Sequence, residues 1–385
     1  MITYKAGLVA SCLFMMLNAS CMDKDPMPPD EEPVSDPEVT VTTVVTGYEI
    51  IWGMDFLPGG DMIFGEKRGK LYRLSNGTVK EITGFPAVFT SGQGGLLDIR
   101  VHPAYGTNGW IYASYSGSLP GGSGQLNLIR FRIVNDQVQD IENLFSSGGT
   151  NTWYGHYGSR ILFDRNKFLF LSIGEGGTTS RGGQDSPNLN AQNTKSNWGK
   201  IHRFNDDGGI PADNPVLPGN TIPSSVWSYG HRNPQGLAMH PVTGEIWSSE
   251  HGPRGGDELN IIRKGFNYGW PLYSLGINYD GSGISSGHAA PGIEPPLYTW
   301  TPSIGVCAIA FITSDTFKAW KGNLLATGLA SQKLYRCEVN GNKVTKETEL
   351  LTGYGRVRNV IQGLDGAVYV SVEGPGRIIR IMPKP

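Results

Sequence analysis

Short stretches of alternating apolar and polar residues recur along the chain, and each has the form of a strand, a turn and a second strand. Most copies are followed by a further strand, as in GKLYRLSNG and QKLYRCEVNG. Six such copies predict an all-β chain folded as a six-bladed β-propeller of four-stranded antiparallel blades. A β-sandwich also has short strands, but it does not explain six recurrences of one unit. In order, the copies read WGMDFLPGGDMIFGE from Trp52, LLDIRVHPAYGTNGWIYASYS from Leu96, SRILFDRNKFLFLSIGE from Ser159, QGLAMHPVTGEIWSSE from Gln235, CAIAFITSDTFKAWKGNLLAT from Cys307 and VRNVIQGLDGAVYVSVE from Val357.

The composition fits many short strands joined by turns. Among 385 residues, Gly (54) and Pro (25) are frequent, 38% of residues are hydrophobic and 17% are charged. Lys plus Arg (32) nearly balances Asp plus Glu (34), which leaves a formal net charge of -2. We therefore expect no nucleic-acid partner and no electrostatic attraction to a membrane, and a small neutral partner suits the chain better.

The first residues have the order of a secretory signal, because Lys5 precedes an apolar run that ends in small residues before Cys21. We expect a signal peptide over residues 1–21, an acidic, Pro-rich tether over residues 22–44 and the propeller over residues 45–385. Cys21 is a candidate for the lipid-modified first residue of a bacterial lipoprotein, and cleavage near Cys21 with release of the protein is the alternative. The chain is thus expected to be exported, either periplasmic or held at the outer membrane through that N-terminal lipid. No later stretch reaches the roughly 20 apolar residues of a membrane span.

Two cysteines remain in the body of the chain, Cys307 and Cys337. An exported protein meets an oxidising compartment, which permits a disulfide. However, the repeat places the two residues on the first and third strands of one blade, roughly 9 to 10 Å apart and too far for a disulfide. We therefore predict two free, buried thiols.

The segment WSYGHRNPQG is too polar for a core and crowds three planar hydrogen-bonding side chains around a proline. Arg232, Asn233 and Gln235 in a rigid loop suit an anionic, carbonyl-rich ligand. The alternative is an ordinary turn in which the arginine caps carbonyl groups.

The segment EHGPRGGDE is a candidate for binding a hard cation. The carbonyls of Gly252 and Pro253 can point the same way in a Gly-rich turn, and Glu258 and the carbonyl of Tyr268 add further oxygen ligands. Calcium prefers six to eight such ligands, whereas the Cys and His residues lack the spacing of a zinc site. A solvated acidic loop is the alternative.

Further polar residues occur in loops that a propeller brings together. His156 lies in a Gly-rich and aromatic turn before the third copy and can serve as a general base, although a lone His is more often structural. Gln93 precedes the second copy. Arg356 and Arg358 are two residues apart, so they face one side of an extended segment and suit carboxylates or a quinone dianion, unless they form an ordinary salt-bridged rim.

Taken together, GQGGLLD, GHYGSR, SYGHRNPQG, EHGPRGGDE and NYGWP resemble, in order and spacing, the soluble glucose and aldose sugar dehydrogenases that depend on pyrroloquinoline quinone (PQQ). The resemblance runs from about Trp52 to the C-terminus. It implies an enzyme that oxidises the anomeric hydroxyl of aldose sugars to lactones and passes electrons to an external acceptor.

The resemblance also implies roles for individual residues. His156 matches the base that removes the proton from the sugar hydroxyl while hydride passes to the quinone. The carbonyls of Gly252 and Pro253 match ligands of the calcium that orients the cofactor, and Glu258 and Tyr268 match a second, structural calcium site. The cofactor-binding positions correspond to Gln93, Arg232, Asn233, Arg356 and Arg358.

Two positions depart from the family pattern. Where relatives carry a Lys that touches the quinone, this chain has Ala330, and Lys333 lies shortly after it. Either the cofactor is held more weakly or Lys333 takes over through a shifted loop. The residue before the base is Gly155, where relatives often carry Asp or Asn, so the imidazole is expected to lack one orienting partner.

Two other functions are compatible with a propeller. One is a non-catalytic, calcium-binding propeller that binds a sugar or a protein partner, which the missing Lys favours and His156 with the arginines disfavours. The other is a calcium-dependent lactonase, but those enzymes hold their metal through side-chain carboxylates and amides at the central channel, whereas this chain offers a Gly-Pro carbonyl pair.

Overall fold

The computed structural model describes residues 1, 36–149, 151–152, 154–177, 187–285 and 290–384. The expected signal peptide, Cys21 included, and most of the expected tether lie outside the described residues. Among those that are described, no helix is long and apolar enough to cross a membrane.

The strands of the described residues form six four-stranded antiparallel sheets, which confirms the predicted propeller. The first strand, β1 (Val39–Tyr48), belongs to the last sheet, and the later strands fill the sheets in chain order. Blades 1 to 3 consist of β2 (Ile51–Phe56), β3 (Met62–Glu66), β4 (Leu71–Ser75) and β5 (Thr78–Ile82); β6 (Leu96–Val101), β7 (Ile111–Leu119), β8 (Ser123–Val134) and β9 (Gln137–Ser146); and β10 (Ile161–Phe163), β11 (Leu169–Ile173), β12 (Lys200–Phe204) and β13 (Val226–Tyr229).

The other three blades follow the same order. A four-residue helix, α1 (Tyr105–Asn108), and two 3-10 helices, Asn188–Ala191 and Asp315–Trp320, lie in the connections. Blades 4 to 6 consist of β14 (Pro234–Met239), β15 (Ile246–Glu250), β16 (Asp257–Ile262) and β17 (Tyr298–Trp300); β18 (Val306–Phe311), β19 (Leu324–Gly328), β20 (Lys333–Val339) and β21 (Val344–Thr352); and β22 (Arg356–Gln362), β23 (Val368–Glu373) and β24 (Gly376–Pro383), completed by β1.

The ring is closed by pairing the two ends of the propeller. β1 runs antiparallel to β24, from Val39 opposite Pro383 to Tyr48 opposite Gly376. This pairing completes the last blade with a strand from the start of the described propeller and covers the edge of β24. The propeller therefore begins at Val39, upstream of residue 45 where the sequence placed its start.

The second strand of a blade is the most deeply buried element. Every residue of β3, β11, β15, β19 and β23 is buried. Short apolar runs such as MIFGE and LLATG suit this position, because both faces of the strand pack against neighbouring blades. Cys307 and Cys337 lie on β18 and β20 as free, buried thiols, as the sequence predicts.

Buried polar side chains join neighbouring blades. Asp98 on β6 accepts hydrogen bonds from Ile161 N (2.8 Å) and from Arg160 Nη1 (2.8 Å), whose guanidinium lies 4.3 Å from the ring centroid of Trp52. Asp257 on β16 likewise accepts from Val306 N at 2.8 Å, and Ser371 on β23 donates to Ile51 O at 2.9 Å. Such satisfied buried bonds fix the blades relative to one another, and with them the loops at the ring centre.

Candidate active site

A cavity of about 260 Å³ lies where the six blades meet, and every blade contributes to its wall. The lining is mixed, because apolar side chains alternate with cations, a carboxylate, amides and an imidazole. Such a wall suits a flat polar ligand better than an apolar one. The lining residues are Ile50, Trp52, Lys67, Gly92, Gln93, Leu97, Tyr157, Gly158, Gln235, His251, Leu329, Arg356, Arg358 and Glu373.

The two arginines of β22 stand on one side of this cavity and share a carboxylate. Arg356 Nε donates to Glu373 Oε2 at 3.0 Å, and Arg358 Nε donates to Glu373 Oε1 at 2.6 Å. Burial would raise the pKa of Glu373, but Arg358 and Arg356 outweigh it and leave the pKa lowered. The pair thus faces one side as the spacing predicts, and it carries one more positive charge than Glu373 neutralises.

The loop that carries His156 is held by two other predicted site residues. His156 N donates to Gln93 Oε1 at 3.0 Å, and Gly158 N donates to Asn233 Oδ1 at 3.0 Å. His156 has a φ of 40°, in the left-handed region that only a few non-glycine residues occupy. A Cβ at Gly174 would lie 2.2 Å from His156 O, so the close approach of the two loops requires glycine at residue 174.

His156 is paired with a carboxylate that the sequence analysis did not single out. Its Nδ1 lies 2.8 Å from Glu175 Oε1, and both side chains are buried. Because a carboxylate accepts, Nδ1 carries the proton, and Nε2 is left with a lone pair and no hydrogen-bond partner among the described residues. The imidazole therefore has an orienting partner in Glu175 despite Gly155.

Burial keeps the His156 imidazole neutral. It lowers the pKa of His156, Arg232 lowers it further, and Glu175 raises it only in part. The imidazole lies behind the cavity wall, which its neighbours Tyr157 and Gly158 line. A neutral, oriented imidazole beside a cavity can accept a proton from a bound ligand.

Arg232 and Asn233 are buried and are not part of the central cavity's lining, and Arg232 lines a second, smaller cavity. Arg232 Nη1 donates to the carbonyls of His251 (3.1 Å) and Gly252 (2.7 Å). Its Nε and Nη2, together with Asn233 Nδ2 and His251 Nε2, are buried without a hydrogen-bond partner in the described part of the chain. Unpaired buried donors are costly, and a cluster of them beside a cavity is typical of a site completed by a polar ligand.

The four residues predicted as metal ligands border one small cavity of about 10 Å³, with room for a single ion or water. Gly252, Pro253, Glu258 and Tyr268 all line it, and so does Glu250. The sequence analysis assigned these residues to two calcium sites, whereas the structure brings them to one cavity.

Two carboxyl groups, those of the buried Glu250 and the partly buried Glu258, line the small cavity. Burial, and then the neighbouring Glu250, raise the pKa of Glu258 to about 8. Asn260 Nδ2 bridges them, donating to Glu250 Oε1 (3.0 Å) and Glu258 Oε2 (3.1 Å). No group of three or more His, Cys, Asp or Glu side chains is arranged to hold a metal among the described residues, so a cation here would depend on the two carboxylates and on backbone carbonyls. These oxygens suit calcium, and a cation bound to Gly252 O would share that carbonyl with Arg232, which lines the same cavity and donates to it at 2.7 Å.

The substitution at Ala330 is not compensated by Lys333. Lys333 Nζ donates to Glu349 Oε1 at 2.6 Å on the outer strand β21, and the residue does not line the central cavity. A different cation is present on the cavity wall, namely Lys67 on the turn between β3 and β4.

The glutamates around the site occupy the same position in different copies of the repeat, namely the last residue. Four of the six copies quoted above end in Glu, at Glu66, Glu175, Glu250 and Glu373. Glu175, Glu250 and Glu373 are the partners of His156, Arg232 N (2.8 Å) and the arginine pair. Alignment of the copies would have found these glutamates, because a polar residue at the end of a buried second strand needs a partner.

Comparison with known proteins extends over nearly the whole propeller. The family model described as Glucose / Sorbosone dehydrogenase matches residues 48–380. Aldose sugar dehydrogenase YliI of Escherichia coli (strain K12) is 36% identical over 342 residues, which cover 86% of this chain and 90% of that protein.

Solved structures have the same architecture. The apo-form of the soluble aldose sugar dehydrogenase from Escherichia coli matches with a TM-score of 0.85 and 35% identity, over 90% of this chain and 100% of that one. The PQQ-bound form of an aldose sugar dehydrogenase from Streptomyces coelicolor matches with a TM-score of 0.72 and 28% identity, over 91% of this chain and 100% of that one.

Proposed function

Because the chain belongs to the glucose / sorbosone dehydrogenase family, we propose that it is a quinoprotein that oxidises the anomeric hydroxyl of aldose sugars to lactones, using PQQ and calcium. The observation that carries the proposal is the buried His156–Glu175 pair beside a central cavity that is lined by Arg356 and Arg358. A base and an excess of positive charge are what such a reaction needs at one place.

The cavity has the donors that an anionic, carbonyl-rich cofactor needs. Gln93, Arg356 and Arg358 line it, and Arg232 and Asn233 have buried donor atoms without a hydrogen-bond partner in the described part of the chain. We assign these five residues to binding of PQQ, which supplies an acceptor for one hydride, and so for two electrons, when bound. The arginines would neutralise its negative charge.

In the reaction, His156 accepts the proton of the anomeric hydroxyl at Nε2 while the hydride leaves the same carbon. Glu175 keeps the Nδ1 proton in place, so the lone pair stays on the nitrogen that must act as the base. Once His156 is protonated, the same carboxylate stabilises the imidazolium. Burial excludes water, which would otherwise compete for the imidazole.

Calcium is assigned to the oxygen-lined small cavity. The carbonyls of Gly252, Pro253 and Tyr268 and the carboxyl group of Glu258 would hold the ion. A divalent cation would oppose both the burial and the nearby Glu250 that raise the pKa of Glu258.

Turnover also needs an external acceptor that removes the two electrons from the reduced cofactor. We further propose that the protein is exported through residues 1–21 and acts in the periplasm or at the outer membrane, held by a lipid on Cys21. This proposal rests on the order of charged, apolar and small residues in the leader.

The proposed activity is tested by dye-coupled oxidation of a panel of aldoses. The purified chain is assayed alone, with calcium, with PQQ, and with both. We expect turnover with both additions together, and none with either addition alone. Turnover that does not need the quinone, or none with any aldose when both are saturating, would contradict the proposal.

The non-catalytic alternative makes a different prediction in the same assay. A propeller that only binds a sugar does not need a buried imidazole with a fixed tautomer. In that case His156→Gln should leave the sugar affinity unchanged, and neither the wild type nor the variant should show turnover. In the proposed enzyme, His156→Gln lowers turnover about 10²- to 10⁴-fold while PQQ still binds.

A further inference from the structure

The turn between β3 and β4 carries three cationic side chains, Lys67, Arg68 and Lys70, and one of them differs from the others. Arg68 forms an ion pair with Glu49, and Lys70 Nζ donates to Glu81 Oε2 at 2.8 Å. Lys67 forms no ion pair with any carboxylate among the described residues. The hydrogen bond recorded for its Nζ is a long one, 3.4 Å to Thr90 O.

Lys67 is also the cation of this turn that faces the central cavity. It lines the cavity wall together with Gln93, Arg358 and Glu373. Burial, and then the nearby Arg358, lower the pKa of Lys67, whereas Glu373 and Glu49 only partly oppose the shift. A half-buried ammonium without a carboxylate partner is costly, and an anion in the cavity would remove that cost.

The backbone around Lys67 fixes where its side chain starts. Lys67 N donates to Ile50 O at 2.8 Å, and Leu96 N donates to Lys67 O at 2.8 Å, so the turn is tied to two neighbouring segments. Gly95 has a φ of 149°, and a Cβ there would lie 2.7 Å from Lys67 Cγ. The glycine thus leaves room for the lysine stem beside the loop that carries Gln93.

The protein itself does not supply the missing anion. Glu373 is the carboxylate on the cavity wall within the described residues, and Arg356 and Arg358 already occupy both of its oxygens. Three cations therefore face one carboxylate around this cavity. The chemical class that fits is a small polyanion, with a carboxylate or similar group directed at the Lys67 side of the wall.

We propose that Lys67 is a cofactor-binding residue, whose ammonium pairs with an acidic group of the PQQ held in the central cavity. The inference rests on the proposed function, since it takes that quinone as the polyanion. The proposal places a cofactor-binding positive charge on the first blade. On the fifth blade Ala330 has no charge, and Lys333 is paired with Glu349 instead.

The test is direct binding of PQQ to the calcium-loaded protein. Binding is measured by titration calorimetry and by quenching of tryptophan fluorescence, because Trp52 lines the cavity. We expect Lys67→Gln to bind the quinone about 10- to 100-fold more weakly, the range for loss of one charged hydrogen bond. Lys67→Arg keeps the charge and should bind more tightly than Lys67→Gln. Lys70→Gln, from the same turn but paired with Glu81, is the matched control and should bind like the wild type.

The cofactor-free variants are first compared with the wild type by thermal unfolding. An unchanged unfolding temperature for Lys67→Gln, with weaker quinone binding that depends less on salt, supports the assignment. If the wild type binds PQQ and Lys67→Gln binds it equally tightly, Lys67 is not a cofactor-binding residue, although the proposed function stands. If the wild type binds no quinone, the proposed function fails, and this assignment fails with it.

Discussion

His156 has a backbone conformation that costs free energy and is held in place by its neighbours. Its φ of 40° lies in the left-handed region, and the amide of Gln93 and the absence of a side chain at Gly174 secure it there. Strain of this kind persists where the surrounding structure over-determines the geometry, which occurs mostly at functional sites. We infer that this strained backbone conformation orients the imidazole of His156.

Substituting His156 and Glu175 one at a time should distinguish the role of the base from that of the group that orients it. His156→Gln is expected to lower kcat about 10²- to 10⁴-fold, the usual contribution of general base catalysis, with the Kd for PQQ almost unchanged. Glu175→Gln should lower kcat less, because the imidazole remains. Glu66→Gln, at the equivalent end of another copy and away from His156, is the control and should keep the wild-type kcat.

The lowered pKa of His156 predicts the acidic limb of the pH profile. An imidazole of ordinary pKa 6.5 whose folded pKa is lowered by burial stays neutral to more acidic pH, so kcat should fall only below pH 6.5. Because Glu175 raises the pKa, Glu175→Gln should shift this limb to still lower pH. A limb above pH 6.5 in the wild type, or a shift in the opposite direction in the variant, would show that another group controls the rate.

At the level of single residues, sequence reasoning found one member of each contact and missed the other. His156, Arg232 and the arginine pair stand in distinctive motifs, whereas Glu175, Glu250 and Glu373 stand at the ends of ordinary strands. Each contact lies within one blade, between its first strand or the loop before it and the end of its second strand, as for Arg356 opposite Glu373. The alternating pattern predicts the strands but not which side chains meet at their ends, so without alignment of the copies the tautomer of His156 could not be predicted.

At the level of elements, the site is built at strand ends and on short loops. Three of the second strands, β3, β15 and β23, end in glutamates, Glu175 follows β11 by two residues, and the loops before β6 and β10 carry Gln93 and His156. The loop before β10 is bonded to its neighbours on both sides, through His156 N to Gln93 and through Gly158 N to Asn233. The apolar runs and turns of the repeat predicted these elements well, since they depend on local pattern.

We expect calcium bound by the segment from Gly252 to Tyr268 to raise the stability of the folded protein. A carboxyl group whose pKa is raised in the folded protein stabilises the fold at low pH, and this stabilisation is lost as the pH rises. Without calcium, the protein should therefore become less stable between about pH 4.5 and about pH 8, where Glu258 ionises. Calcium at about 100 times its Kd should add about 2.7 kcal/mol to the free energy of unfolding. Unfolding temperatures with calcium and with a chelator measure both effects.

Glu258→Gln should abolish the calcium effect and leave the calcium-free protein at least as stable as the wild type at alkaline pH, because it removes the repulsion with Glu250. Glu81→Gln, an exposed carboxylate paired with Lys70, is the control and should keep the full calcium effect. A wild-type unfolding temperature that is the same with calcium and with chelator would exclude a cation site here.

At the level of the whole molecule, the central cavity exists only while the ring is closed, because all six blades line it. Closure depends on β1, which lies at the start of the described propeller and pairs with β24 at its end. The sequence predicted six units but not this strand, since the run from Val39 lies before the first copy of the repeat.

Removal of β1 should therefore be far more harmful than removal of the leader. A chain that begins at residue 36 keeps β1 and the two bonds of Asp36 to Arg336 (2.6 and 2.7 Å), and it should unfold at the temperature of the full protein. A chain that begins at residue 49 exposes the edge of β24 and should unfold at a lower temperature or aggregate. Equal unfolding temperatures for the two shortened chains would mean that β1 does not hold the ring together.

The central claim is that the aldose delivers a hydride to PQQ while His156 takes the proton. The most direct measurement is a single turnover without an electron acceptor, in which an aldose is mixed with the calcium- and PQQ-loaded protein and the quinone absorbance is followed. We expect rapid reduction of the quinone in the wild type and reduction slowed about 10²- to 10⁴-fold in His156→Gln at equal quinone occupancy. Reduction at the same rate in both proteins, or none in the wild type with any aldose, would contradict the central claim.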